Sequence, residues 1–224
     1  MKNFSVYCMF FLVSFLLTGC FEIKEKVHLK EDGTGRVTLI MNLSESKVNV
    51  ANYLKMGEVN GIKIPDIREI EAEFQKVKSA FASAPGISNV AADSDYREFI
   101  FTISGDFESV EDLNNSINHV VRKMNRTPFE TIQVDNFDLT SKAFRRYFNY
   151  PVTLIDFEQL PTVYQFALES ARMVHEYTFD EPIRTYTNEK AVVDENKKSI
   201  ILVNSLGQVI QGKETPANSV IFSF

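Results

Sequence analysis

The 224-residue sequence contains no tryptophan, three histidines and two cysteines, Cys8 and Cys20. His28, His119 and His175 lie far apart and belong to no H-x-H or H-E-x-x-H pattern, so the common zinc-hydrolase signatures are absent. There is no G-x-S-x-G elbow, no Walker loop and no dinucleotide-binding glycine fingerprint. Positive charge is in deficit: 24 Lys and Arg stand against 30 Asp and Glu, a net charge of −6. That balance argues against nucleic acid as a partner, because phosphate backbones select basic stripes. Beyond residue 20 no apolar run approaches the roughly 20 residues that a membrane-spanning helix needs. Hydrolysis by two carboxylates stays open, since thirty acids always offer pairs and their separation in space cannot be read from sequence.

What is present is concentrated first at the N-terminus. Lys2 precedes an almost wholly apolar run from Val6 to Leu17, the length of a signal-peptide hydrophobic region and short for a bilayer span. The small residues Thr18 and Gly19 follow, then Cys20, and strongly polar sequence begins with Glu22, Lys24, Glu25 and Lys26.

Leu17-Thr18-Gly19-Cys20 resembles the lipobox of bacterial lipoproteins: Leu, a small residue, Gly or Ala, then Cys. The resemblance covers the first 20 residues. It implies that residues 1–19 are a signal peptide, that a peptidase cuts between Gly19 and Cys20, and that the Cys20 sulfur carries a diacylglyceryl group, with a further acyl chain often on the new amino group. One acyl chain holds a protein marginally and two or more hold it stably, so such a tether needs no transmembrane helix. Residue 21 is Phe rather than Asp, which by analogy with enterobacterial sorting permits the outer membrane where the organism has one, and otherwise the outer face of the cytoplasmic membrane. Residues 1–19 hold Lys2 as their only charge, so the remaining 205 residues keep 23 cations against 30 acids, a side-chain charge of −7. The acyl chains, and not a polybasic patch, then do the anchoring. With Cys8 removed and Cys20 acylated, no thiol is left for a disulfide, thiol catalysis or cysteine-ligated metal. No cofactor and no metal is expected.

The remainder predicts an α+β fold: antiparallel β-hairpins packed with amphipathic helices, and a β-rich C-terminal part. Ile23, Val27 and Leu29 alternate with polar residues as a half-buried strand, Asp32-Gly33 makes a hairpin turn, and Val37, Leu39, Met41 and Leu43 alternate on the return. A short helix is expected over Ser44–Met56, ended by Gly57, then a connector over Ile62–Pro65. Asp66 and Glu69 form a capping box for a helix carrying Ile67, Ile70, Phe74, Val77 and Phe81, stopped by Ala84-Pro85-Gly86, whose stripe is expected to pack on a sheet. A second hairpin spans Ile87–Phe107, with Phe99, Phe101 and Ile103 on one face of its return strand. Asp93-Ser94-Asp95 is expected in a solvated hairpin turn and lacks the glycine and glutamate of a calcium loop. Ser109 and Asp112 open a helix with the stripe Leu113, Ile117, Val120, Val121 and Met124. Hairpin, helices, hairpin, helix suggests a ββα region over residues 21–126, followed by a β-rich region over residues 127–224, the two packed as one unit. In the latter, strands are expected over Thr131–Leu139, Lys142–Tyr150, Met173–Phe179, Ala191–Val193, Ser199–Val203 and Ser219–Phe224, with a helix over Val163–Ala171. The final Val220, Phe222, Phe224 pattern is shared with outer-membrane barrels, which the capped amphipathic helices do not fit.

Asp32-Gly33-Thr34-Gly35 after the cysteine, and Tyr177-Thr178-Phe179-Asp180-Glu181-Pro182 later, resemble mycobacterial LppM-type lipoproteins and their relatives. The C-terminal membrane helix expected of those proteins is not found in this sequence, and the resemblance carries over no functional residue. The densest basic–aromatic cluster is Arg145, Arg146 and Tyr147, with Phe148 and Tyr150. It reads either as a strand alternating its faces or as a contact surface for phosphate, glycan or lipid headgroup. Three functions follow. The first is a non-catalytic, membrane-tethered envelope domain that binds a protein partner or supports an assembly. The second is a carrier or sensor of an apolar ligand, which requires a lined cavity. The third is an envelope hydrolase, which requires two acids in a cleft with one pKa raised.

Overall fold

In a computed structural model, residues 21–59, 62–124, 134–148 and 157–223 are described, with only the backbone of Val59, Ile62 and Val163. The lipobox, the signal run, Pro151, Tyr150 and Phe224 lie outside the described residues.

Strands β1 (Glu22–Leu29) and β2 (Gly35–Asn42) form the expected first hairpin. Its turn closes through the Gly33 N–H to the Lys30 carbonyl at 3.0 Å, with Gly33 at φ 84°, which only glycine adopts without cost. The Asp32 carboxylate accepts from the Thr34 N–H at 3.0 Å and fixes the turn from the other side. A single 3-10 turn, Ser44–Ser46, then leads into α1 (Lys47–Met56), which stops at Gly57. Where a plain connector was expected, β3 (Glu58–Val59) and β4 (Ile62–Lys63) pair as a small hairpin; the Asn60-Gly61 dipeptide lying between them in sequence is the signal that marks it.

Helix α2 (Ile67–Ala82) begins with the predicted capping box: Asp66 Oδ1 accepts from the Glu69 N–H at 2.8 Å, and Glu69 Oε2 accepts from the Asp66 N–H at 2.9 Å. Its stripe packs against the second hairpin, β5 (Ile87–Asp95) and β6 (Ile100–Phe107), with the Phe74 and Phe101 rings 5.7 Å apart. The approach is close enough that a Cβ on Gly105 would lie 2.7 Å from the Phe81 ring, so a side chain here would have to displace that ring. Phe99 sits in the turn before β6, at φ 55°, and not in the strand; Asp93-Ser94-Asp95 ends β5, where Asp95 Oδ1 caps the turn by accepting from the Arg97 and Glu98 N–H groups.

Helix α3 (Val110–Met124) opens on Ser109, whose hydroxyl accepts from the Asp112 N–H at 3.1 Å. There follow β7 (Phe137–Thr140), β8 (Ala143–Arg146), the 3-10 turn Phe157–Gln159, α4 (Thr162–Ser170), β9 (Arg172–Phe179), β10 (Ile183–Tyr186), β11 (Val192–Val193), β12 (Ser199–Ser205), α5 (Leu206–Ile210) and β13 (Asn218–Phe222). The turn joining β7 to β8 falls at Ser141-Lys142, at the boundary between the two strands expected there.

The larger sheet has the order β11-β12-β9-β1-β2-β6-β5 and the smaller the order β10-β13-β8-β7. Strands from both sides of residue 126 therefore share the larger sheet. Among the described residues all pairs are antiparallel except β1 with β9, which run parallel with Glu25 opposite His175 and Val27 opposite Tyr177. Hairpin logic alone does not reveal that pair, because its partners lie about 150 residues apart.

The two sheets enclose the main core: Val27, Leu29, Tyr177, Phe179, Ile200 and Leu202 from one, Phe137, Phe144, Val220 and Phe222 from the other, with Leu113 of α3 at the side. Rings of Phe137, Phe144, Tyr177, Phe179 and Phe222 form a continuous chain with centroids 5.0 to 6.3 Å apart. Each such pair adds roughly 0.5–1.5 kcal/mol to the burial of the rings, and the chain fills the space between the sheets. A second core lies under α1 and α4, where Phe21, Leu43, Val50, Phe99, Tyr164 and Leu168 meet.

Candidate functional site

The parallel pairing of β1 with β9 puts Glu25 beside His175 on the face that meets the smaller sheet, and Tyr177 follows two residues on. Alternation on β8 turns Arg146 toward them. Glu25 Oε1 accepts from Arg146 Nε at 3.1 Å, and Oε2 from Arg146 Nη2 at 3.2 Å. The Tyr177 hydroxyl donates to Glu25 Oε1 at 2.6 Å, and His175 Nδ1 lies 3.2 Å from the same oxygen. A carboxylate does not donate, so the Nδ1 position carries the proton. Arg146 also donates to the Tyr147 carbonyl and lies over the Phe137 ring, 4.9 Å from its centroid.

Burial opposes charge on Glu25, but the Arg146 guanidinium and the hydrogen bonds from His175 and Tyr177 outweigh it and hold the carboxyl well below the usual range. Burial, and then the negative charge of Glu25, push the Tyr177 phenol well above its ordinary value. The pair is therefore Glu25 ionised and Tyr177 neutral, the opposite of a general acid poised to give up a proton. His175 Nε2 is buried without a hydrogen-bond partner. The other polar side-chain atoms of this cluster face one another and join the two sheets.

The same alternation separates the predicted contact cluster. Arg146 is 6 % exposed and presents nothing to solvent, so its place in a contact surface is corrected: it is an internal ion-pair partner. Arg145 points outward and binds Asp138 at 2.7 Å, and the Tyr147 hydroxyl is 3.5 Å from the same carboxylate. Arg145 and Tyr147 remain together at the surface, each half-buried. Gly19 and Cys20 lie outside the described residues.

Two further groupings carry no chemistry. Ser83, His119 and Lys123 meet at the exposed end of α2, with Ser83 Oγ 3.1 Å from His119 Nε2 and 2.9 Å from Lys123 Nζ. The Ser83 hydroxyl donates to the Ala80 carbonyl, so its proton is committed to the helix end and the oxygen is no activated nucleophile. Glu31 and Glu181 meet on neighbouring turns, where a shared hydrogen bond pushes the Glu181 carboxyl up, with Glu31 exposed and Glu181 half-exposed. Among the described residues no group of three His, Cys, Asp or Glu could hold a metal ion, and no helix is long and apolar enough to cross a membrane.

Among the described residues an open groove of about 780 Å³ lies between α1, the start of α2 and the β5–β6 turn, lined by Ala51, Leu54, Tyr96 and Phe99 together with Lys47, Lys55, Arg68 and Arg97. In sequence Lys47 and Lys55 read as ordinary helix-surface charges, and no local pattern marks α1 as one wall of a groove.

No family model matches the sequence, and no curated protein matches it. Among solved structures, the NMR structure of the folded domain of Mycobacterium tuberculosis LppM is similar, with a TM-score of 0.42 and 8 % identity over 92 % of this chain and 92 % of that one. That likeness transfers no function.

Proposed function

We propose that the chain is a membrane-tethered lipoprotein of the cell envelope whose extracytoplasmic domain binds a protein partner or supports an assembly, without catalysis. The observation that carries this reading is the position of Phe21. It is 3 % exposed, packed in the second core, and β1 begins at the next residue. Acylation at Cys20 would then hold a folded surface directly against the bilayer, with no flexible stalk between them. The chain of aromatic rings supports a filled core over an apolar-ligand cavity, and the depressed Glu25 carboxyl supports an internal ion pair over a general acid. The outer membrane is the expected location where the organism has one.

The test is photo-crosslinking of the full chain in intact cells, with a photoreactive residue at Tyr147, at Val192 or in the groove at Leu54. A discrete protein adduct from one position and not the others is the expected outcome. A stoichiometric lipid retained in the native mass of the purified protein beyond its covalent acyl chains, with no adduct, contradicts the reading in favour of a carrier.

A further inference from the structure

The residues around Phe21 face two ways. Val50 on α1, with Tyr164, Ala167 and Leu168 on α4, closes over Phe21. The outer sides of the same two helices leave large apolar side chains in solvent: Val48 (68 % exposed) and Met56 (63 %) on α1, and Phe166 (65 %) on α4. Val48 and Met56 are eight residues apart and share one stripe of the helix, flanked by Lys55. Beside them the groove adds Arg68 and Arg97. None of Lys55, Arg68 and Arg97 has an ion pair among the described residues; of the nearby acids, Glu98 is held by Lys47 at 2.8 Å, Asp66 by the cap of α2, and Asp95, which feels the Arg97 charge, by the Arg97 and Glu98 N–H groups. A protein with a net charge of −6 thus shows cations outside ion pairs and exposed apolar side chains at the end where the chain enters the fold.

From this, and resting on the proposed tether at Cys20, we propose that the α1–α4 end is a membrane-docking face: Val48, Met56 and Phe166 enter the headgroup boundary while Lys55, Arg68 and Arg97 meet anionic lipid phosphates. The occupant is the bilayer itself and not a captured lipid molecule. The argument is one of proximity and sign. Cys20 and Phe21 are one peptide apart, about 3.8 Å between Cα atoms, so a lipid on Cys20 brings this end and no other to the surface. Apolar side chains among basic ones are what an interfacial segment presents, and the anionic leaflet attracts the cations while repelling the acidic remainder of the molecule. Val192, equally exposed, lies at the β11 edge of the larger sheet and takes no part.

The test uses the full chain, processed in a bacterial host and reconstituted into phosphatidylethanolamine–phosphatidylglycerol vesicles. Once Cys8 has left and Cys20 is acylated, a new cysteine is the sole thiol. Val48→Cys, Phe166→Cys and Val192→Cys are each labelled with an environment-sensitive fluorophore. The expected result is a blue shift and quenching by a lipid-borne quencher at positions 48 and 166, neither at 192, and loss of the shift at 48 when Arg68→Glu and Arg97→Glu are added. If all three positions report water while the protein still floats with the vesicles, the docking face is wrong and the tether stands. If positions 48 and 166 are shielded from aqueous quencher yet not reached by the lipid quencher, a second copy or a protein partner covers the face, and the proposal is overturned. If the protein does not float and its mass lacks acyl chains, the tether itself fails and the docking face falls with it.

Discussion

Glu25 and Arg146, 121 residues apart in sequence, meet in a two-pronged ion pair with contacts of 3.1 and 3.2 Å that joins the larger sheet to the smaller. Paired charges in an interior stabilise little relative to a well-packed apolar pair, but breaking one side leaves the other desolvated and uncompensated. Glu25→Ala and Arg146→Ala should each destabilise by about 3–5 kcal/mol. The double variant should cost clearly less than the sum of the two, since neither leftover charge remains. Urea unfolding of the four proteins measures this; additive losses would show that the two residues act independently.

The same pair sets an acid limit. The Glu25 carboxyl is depressed in the folded protein, so its contribution is fully present above its unfolded pKa, about 4.3, and is lost as pH falls from there toward the folded value. Thermal stability should therefore decline below about pH 5, and Glu25→Gln, less stable at pH 7, should show a shallower decline. Equal slopes for the two proteins would place the acid sensitivity elsewhere.

Asn114 on α3 acts as a short length of strand. Its amide donates to the Phe137 carbonyl at 2.8 Å and its oxygen accepts from the Asn136 and Phe137 N–H groups at 2.9 and 3.0 Å, while Asn118, one turn on, holds both the N–H and the carbonyl of Val134. Asn114→Leu keeps the volume and removes all three bonds, so it should cost at least about 2 kcal/mol. Asn114→Asp retains the acceptor but sets a buried carboxylate oxygen against the Phe137 carbonyl, and should cost at least as much. A neutral Asn114→Leu in chemical denaturation would mean that α3 does not hold β7 in this way.

The local elements were legible because their signals are local. Asp32-Gly33 gave the first turn, Asp66 with Glu69 the start of α2, and alternating apolar residues the strands β1, β6 and β9. The parallel alignment of β1 with β9 was not legible, because nothing in the period of either strand encodes its distant neighbour. The apolar stripe of helix α3 marks it in sequence, whereas Asn114 and Asn118 give no signal, because polar residues at i and i+4 ordinarily mark a solvated face; here that face is buried and its amides substitute for a strand. Leu39 shows the reverse: it alternates with core residues yet is about half exposed. Arg145-Arg146 was seen as a cluster, and alternation alone could not say which arginine turned inward. Short β10 and α5 carried too few residues for any periodicity to show.

The central claim is the tether at Cys20, and the direct measurement is metabolic labelling with an alkyne fatty acid, followed by an intact mass of the full chain and of Cys20→Ser. The account predicts label and acyl mass on a product that has lost residues 1–19, recovered with membranes, and an unlabelled precursor for Cys20→Ser. An unlabelled wild-type chain, or equal labelling of both proteins, would contradict it.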